Sequence, residues 1–174
     1  KRCGSELSLR FDSLTFDSFA KQLLDRFKHA LPSDLKISSD YDVVLDDKYI
    51  LGIYEGLDID FYNSLDGRGI LSTHVAQLPH TQSSRDKMLN LSPSRLSFGM
   101  IMRLAEYIMN CNPKIKQYLQ STYKYVFLDE FQDTTEMQYD LFKRCFLGGP
   151  AFYTAVGDDK QRIMLWAGAK RSVF

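Results

Sequence analysis

The sequence has few of the features that mark secreted, membrane-spanning or disordered proteins. Its three cysteines, Cys3, Cys111 and Cys145, are odd in number, far apart and without a Cys-x-x-Cys pair, which argues against a disulfide framework or a zinc site. No apolar run approaches the length that crosses a membrane, and the first residues do not resemble a signal peptide. Proline is scarce while Tyr and Phe are abundant, which argues against disorder. We therefore expect a globular cytoplasmic protein with reduced thiols and no membrane partner.

The chain also lacks an excess of either charge, because 22 basic residues balance 22 acidic ones. The charges are nevertheless unevenly distributed. Residues 31–66 contain nine acids and two lysines, whereas residues 67–122 contain seven bases and two acids. A polyanionic partner would have to meet the second region and avoid the first. A solvated surface with uneven charge is the alternative, and the charges by themselves leave both interpretations open.

The hydrophobic pattern predicts an α/β layer interrupted by an insertion. A strand is predicted over Leu7–Thr15, followed by a helix with an apolar face from Phe16 to Phe27. The pattern is weak from Leu31 to about Pro93, where Tyr41–Leu45 fits a short strand or a helical piece equally well. Two helices follow: the first is predicted to stop before Asn112, and Pro113 is predicted at the first position of the second. The apolar face of the first is predicted to be Leu96, Met100, Ile101, Leu104 and Ile108.

A strand, a helix and a second strand complete the pattern, and the first strand ends in two carboxylates. The run Tyr125–Leu128 is predicted to be a buried strand, and Asp129 and Glu130 follow it directly. The next helix is predicted to begin with Asp133 as N-cap and Glu136 in a capping box, and its apolar face is Met137, Leu141, Phe142 and Cys145. The second strand is predicted over Ala151–Val156. Open α/β sheets bind ligands at strand carboxyl ends, and unpaired carboxylates there are costly to desolvate. A metal ion or a reacting water would explain the two acids.

Four segments resemble the UvrD/Rep group of superfamily 1 DNA helicases. Residues 128–135, LDEFQDTT, with Gln138 resemble motif II of that group. Residues 156–161, VGDDKQ, followed by WAGA at 166–169, resemble motif III. Residues 15–20, TFDSFA, are similar to the segment that precedes the inserted helical subdomain, and Ser97 and Phe98 begin a helix similar to the one that re-enters the ATPase core. A two-residue Asp-Glu is weak evidence, whereas two long motifs at this spacing are specific.

The resemblance implies ATP and Mg²⁺ as cofactors and single-stranded DNA as a partner. It implies that Asp129 holds Mg²⁺ and that Glu130 is the general base for the attacking water. Gln161 is implied to contact the γ-phosphate, with a turn residue as the alternative. Trp166 is implied to stack on a DNA base, although a lone Trp is otherwise a core residue.

Thr15 and Phe16 are candidate DNA-binding residues on the same grounds. Phe16 also fits a packing role. The family usually has His where Asp17 stands, and a carboxylate repels phosphate, which puts this DNA contact in doubt. A Tyr and an Arg that commonly lie near the Trp are replaced by Met164 and Ala167, so the motif III contact set is thinner here.

The resemblance implies part of a RecA-like P-loop NTPase with a parallel sheet and a mostly helical inserted subdomain. We expect residues 1–30 to form the first part of the ATPase core, residues 31–93 the insertion, and residues 94–174 the return to the core. No Gly-x-x-x-x-Gly-Lys-Ser/Thr loop occurs, since no Gly is followed by Lys. We therefore expect a fragment that is inactive alone and needs the remainder of its motor domains.

Two other functions remain open from the sequence. One is a non-enzymatic DNA-binding module, in which the acids have no catalytic role. The other is a partner-docking domain of a helicase–nuclease complex, in which the acidic 31–66 region binds a nuclease or repair protein. A parent enzyme that moves 3′ to 5′ on single-stranded DNA and unwinds junctions, with DNA repair as one context, is what the resemblance implies.

Overall fold

A computed structural model describes residues 11–44, 93–158 and 160. Four α-helices and four short strands are present in these ranges: α1 Phe16–Phe27, β1 Asp42–Val44, β2 Arg95–Ser97, α2 Phe98–Cys111, α3 Pro113–Thr122, β3 Tyr125–Leu128, α4 Glu136–Phe146 and β4 Phe152–Ala155. Single 3₁₀ turns span Lys28–Ala30, Ser33–Leu35 and Phe131–Asp133. The strands pair in parallel, β1 with β2 and β3 with β4. The predicted α/β class with parallel pairing is confirmed.

Helix α2 lies at the centre of the core, packed between α1 and α4. Every residue from Met100 to Met109 is buried, so the helix is enclosed on all sides instead of presenting one apolar stripe. Leu31, Leu35 and Ile37 belong to the same buried cluster. The beginning of the predicted insertion therefore packs with the elements on either side of it. The division of the chain at 30 and 93 stays a prediction.

Local capping explains where the helices begin. Ser97 is the N-cap of α2, and its side chain accepts a hydrogen bond from Met100 N. Pro113 opens α3, as predicted, at a position where a backbone N–H has no helical partner. The prediction that Leu96 lies on the α2 face was wrong, because Leu96 is in β2 and pairs with Val43. Leu96 is still fully buried, which is why its apolar character looked like part of the helical pattern.

The structure resolves one ambiguity, contradicts part of one predicted strand and leaves other predictions outside the described residues. Tyr41–Leu45 was open between strand and helix, and Asp42–Val44 forms β1. Of the strand predicted over Leu7–Thr15, residues 11–15 are not a strand, and the earlier residues lie outside the described ranges. The weak pattern after Val44 also lies outside them, up to residue 92. No helix in the described ranges is long and apolar enough to cross a membrane.

Strand β3 is less buried than the sequence predicts. Tyr125 and Phe127 are 66% and 65% exposed, whereas Val126 and Leu128 pack against the core. The alternation follows from the period of two in a strand, whose successive side chains point to opposite faces. In β4, Phe152 is also exposed, and its ring stacks on Tyr125 with centroids 5.8 Å apart. Within the described residues, this aromatic face has no covering layer.

A buried ionic cluster joins α2 to α4. Arg103 lies 2.6 Å from Glu106 on its own helix and 3.7 Å from Asp140 on α4. All three side chains are at most 3% exposed. Lys143, 2.8 Å from Asp140, and Arg144, 3.7 Å from Glu106, approach the two acids from the partly exposed side of α4. The charge count for residues 67–122 included Arg103 among its bases. Because Arg103 is buried, it does not contribute to a basic surface there.

The two described cysteines are expected to differ sharply in reactivity. Cys145 is fully buried on α4, and burial raises the pKa of its thiol well above the usual range, so little thiolate forms. Cys111 is exposed at the end of α2, and both described thiols are free. Alkylation of the native protein with iodoacetamide, followed by peptide mass spectrometry, should modify Cys111 and spare Cys145 until denaturant is added. Equal labelling of both thiols in the native protein would contradict the packing described here.

Candidate active site

The carboxyl ends of β3 and β4 lie side by side and bring two polar segments together. Leu128 pairs with Ala155 at the end of the ladder. The hydrogen bonds continue beyond the strands, since Val156 N donates to Leu128 O at 2.8 Å and Phe131 N donates to Val156 O at 2.9 Å. The acids that follow β3 are therefore held at the same edge as the Gly157–Asp158 segment that follows β4. This is the position at which parallel α/β sheets bind ligands.

Glu130 has an uncommon backbone conformation. Its φ and ψ are 50° and 40°, in the left-handed region, and it is the one non-glycine residue with positive φ among the described residues. Such a conformation is uncommon for a side chain with no local hydrogen-bonding advantage, and it often marks a functional site. The turn is closed by Asp133 N, which donates to Glu130 O at 2.9 Å. The backbone thus reverses immediately after the strand, with both carboxylates at the bend.

Asp129 and Glu130 are exposed to solvent. Asp129 Oδ1 accepts a hydrogen bond from Glu130 N at 3.0 Å. No Lys or Arg of the described residues forms an ion pair with either carboxylate. Two adjacent acids that no Lys or Arg in the described part of the chain neutralises are suited to a bound cation or to accepting a proton.

A buried glutamine connects the two segments, and sequence analysis missed it. Gln132 is 1% exposed, its Nε2 donates to Glu130 Oε2 at 2.6 Å, and its Oε1 accepts from Asp158 N at 3.1 Å. Gly157 packs directly on this side chain, because a Cβ there would collide with Gln132 Oε1 and lie 3.1 Å from Gln132 N. The sequence indicates this role of Gln132 only weakly, because its second hydrogen-bond partner, Asp158 N, lies on the distant segment that follows β4.

Helix α4 begins two residues later than predicted. Its N-cap is Thr135, whose side chain accepts from Gln138 N at 3.3 Å, while Gln138 Oε1 accepts from Thr135 N at 2.9 Å. The predicted capping box of Asp133 and Glu136 was therefore wrong. Both pairs have the same three-residue spacing, but Asp133 belongs to the 3₁₀ turn. The observed capping box anchors the helix directly behind the acids.

The remaining predicted site residues are distributed differently. Thr15 is exposed and caps α1, since its Oγ1 accepts a hydrogen bond from Ser18 N at 3.1 Å. Phe16 is partly buried and packs against the core, in line with the packing alternative. Gln161 and Trp166 lie outside the described residues. The roles proposed from the sequence for all four residues, and those for Asp129 and Glu130, stay predictions.

The edge suits a hard cation that is held mainly by other ligands. Among the described residues there is no group of three or more His, Cys, Asp and Glu side chains that could enclose a metal. Mg²⁺ does not need such a group, because it retains several waters and is commonly bound by one or two carboxylates together with substrate phosphates. The exposed carboxylate of Asp129 is a donor of that kind.

Comparison of the sequence with known proteins identifies a family. The family model for the UvrD/REP helicase N-terminal domain matches residues 87–174, half of the chain. The ATP-dependent DNA helicase Rep of Escherichia coli K12 is 36% identical over 75 residues, which is 43% of this chain and 11% of that protein.

Two further relatives extend the match. A probable DNA helicase II homolog of Rickettsia felis is 32% identical over 96 residues, covering 55% of this chain and 14% of that protein. A probable DNA helicase II homolog of Mycoplasma genitalium is 28% identical over 167 residues, covering 94% of this chain and 21% of that protein. The chain thus spans between 11% and 21% of the length of these curated relatives. By the match over residues 87–174, the chain belongs to the UvrD/REP helicase N-terminal domain family.

Proposed function

We propose that this chain forms part of the motor of an ATP-dependent DNA helicase or translocase, within a RecA-like P-loop core. The observation that carries the proposal is the shared edge of β3 and β4. There Asp129 and Glu130 lie beside the Gly157–Asp158 segment, joined by the buried side chain of Gln132. A non-enzymatic module would not require an exposed pair of acids at a strand end with a left-handed backbone at the second acid.

The two acids are assigned different roles. Asp129 would hold Mg²⁺ through an exposed carboxylate, a hard oxygen donor that this cation prefers. Bound MgATP supplies the phosphoanhydride bond that is broken and the metal charge that offsets the phosphates. Glu130 accepts the proton of the attacking water at its carboxylate. A positioned general base of this kind contributes roughly 10²- to 10⁴-fold to a rate.

The DNA-binding part of the proposal depends on residues near the end of the chain and at the start of α1. Gln161, three residues after Asp158, would contact the γ-phosphate. Trp166 would stack on a base of single-stranded DNA, an interaction worth about 1–3 kcal/mol per base. Thr15 and Phe16 are weaker candidates for DNA contact, because the first is an N-cap and the second packs on the core. Single-stranded DNA and single/double-strand junctions are the proposed substrates.

The test uses the full-length protein that carries this chain, since the relatives are several times longer than the matched region. ATP hydrolysis is measured with and without a single-stranded oligonucleotide, and unwinding is measured on duplexes with a 3′ or a 5′ tail. We expect Mg²⁺-dependent hydrolysis that single-stranded DNA stimulates, together with unwinding of one tailed duplex. Comparing the two tails gives the direction of movement.

Two results would overturn this proposal. DNA binding without any ATP hydrolysis, in the presence of Mg²⁺, would favour a non-enzymatic DNA-binding module. Absence of both DNA binding and ATP hydrolysis, together with capture of a nuclease or repair protein, would favour a partner-docking domain.

A further inference from the structure

We propose that Gln132 is a positioning residue that orients the Glu130 carboxylate and makes that orientation depend on the backbone at Gly157–Asp158. This inference rests on the proposed function, because it assumes that Glu130 acts as the base. Gln132 is not among the residues proposed to contact the nucleotide or DNA.

The first step is the hydrogen bond to the base. Gln132 Nε2 donates to Glu130 Oε2 at 2.6 Å, and hydrogen bonds to an ionised acceptor are short and strong. Glu130 is exposed, and no Lys or Arg of the described residues pairs with its carboxylate. A solvated Glu side chain samples several rotamers, and among the described residues the buried amide of Gln132 is the side chain that selects one of them.

The second step fixes the amide itself. Gln132 Oε1 accepts from Asp158 N at 3.1 Å, and a primary amide carries its acceptor and its donors on opposite sides. Flipping the amide would place its NH₂ against the Asp158 N–H and its oxygen against the Glu130 carboxylate. Both hydrogen bonds would be lost in a side chain that is 1% exposed. The orientation of the donor toward Glu130 is therefore set by the backbone that follows β4.

The third step is steric. Gly157 leaves the space that Gln132 fills, since a Cβ at this position would collide with Gln132 Oε1 and lie 3.2 Å from Phe131 N. A shift of the Gly157–Asp158 backbone must therefore move the Gln132 amide, and through it the Glu130 carboxylate.

The decisive variant is Gln132→Met, which keeps the length of the side chain and removes both hydrogen bonds. In the full-length protein, kcat for DNA-stimulated ATP hydrolysis should fall about 10²-fold, the size expected for misplacing a catalytic group by about 1 Å. KM for ATP should stay near the wild-type value, because Gln132 does not hold the nucleotide. In the Glu130→Gln background, Gln132→Met should cause little further loss, because residues that act through one group are not additive.

A merely structural role is tested by a matched control. Gln120 is also a buried glutamine packed against a glycine: its Nε2 donates to Cys145 O at 3.0 Å, and a Cβ on Gly149 would collide with its side chain. Gln120→Met should lower thermal stability as Gln132→Met does, without the loss in kcat. Equal kcat for the two variants, or full additivity of Gln132→Met with Glu130→Gln, would overturn the inference.

A second pair of variants keeps the test decisive if Gln132→Met fails to fold. Gln132→Glu retains an oxygen for Asp158 N but loses the donor to Glu130, and Gly157→Ala displaces Gln132 without changing its chemistry. Both should lower kcat, and wild-type kcat in both would overturn the inference. If the wild-type protein hydrolyses no ATP, the proposed function itself fails. If it hydrolyses ATP and Glu130→Gln is inactive while the Gln132 variants are fully active, this inference alone fails.

Discussion

Replacing Glu130 by Gln should lower ATP hydrolysis by the full-length protein roughly 10²- to 10⁴-fold, the contribution expected of a general base. Gln has nearly the same shape as Glu and keeps an oxygen that can accept the hydrogen bond from Gln132 Nε2. The substitution therefore removes proton acceptance while preserving the local geometry. Steady-state hydrolysis measured with saturating single-stranded DNA gives the rate.

The same variant should still bind nucleotide. Glu130 is assigned no part in holding Mg²⁺ or the phosphates, so the affinity for MgATP, measured by titration calorimetry, should stay near the wild-type value. Glu136→Gln is the matched control, because Glu136 lies in the first turn of α4, close in sequence, and has no assigned role. If Glu130→Gln hydrolyses ATP as fast as Glu136→Gln, Glu130 is not the base.

Replacing Arg103 by Met should destabilise the fold by about 3–5 kcal/mol, the cost of removing one partner from a buried ion pair. Arg103 lies 2.6 Å from Glu106 and 3.7 Å from Asp140, and all three side chains are at most 3% exposed. Without the guanidinium, two acids remain in the core between α2 and α4. Calorimetry of the full-length protein should show a clear downward shift of the transition of the domain that contains this cluster.

Two further variants identify the cause of that shift. Lys143→Met removes the 2.8 Å partner of Asp140, but the Lys143 side chain is 30% exposed and Arg103 remains beside Asp140, so the loss should be smaller than for Arg103→Met. Arg103→Met combined with Glu106→Leu should recover part of the stability, because buried ion pairs are often replaced by apolar residues at little cost. If Arg103→Met is no more harmful than Lys143→Met, the cluster does not stabilise the α2–α4 contact.

The sequence predicted the elements whose formation depends on local pattern. Periodic apolar residues located α1, α2, α3 and α4, and a short apolar run located β4, because these patterns reflect which face of each element is buried. Pro113 marked the beginning of α3 for an equally local reason. The strand β2 was missed because it is three residues long, too short for an alternating pattern to be distinguished from the adjoining helix.

The features that were missed depend on contacts between distant segments. Arg103 and Glu106 are three residues apart on a helix, and in a sequence such a pair reads as a solvated surface ion pair. Their burial follows from the packing of α4 over α2, which brings Asp140 to the same place. Gln132 has its second partner on the segment after β4. The acids themselves were found, since Asp129 and Glu130 directly follow a recognisable strand.

The left-handed backbone at Glu130 implies a trade between stability and activity at this one position. A non-glycine residue in that region costs of order 1–3 kcal/mol, and the hydrogen bonds donated by Phe131 N and Asp133 N, directly after Glu130, offset that cost. Glycine, which adopts this conformation at the least steric cost, and asparagine cannot serve as a base. Replacing Glu130 by glycine or asparagine would therefore relax the backbone and remove proton acceptance at the same time.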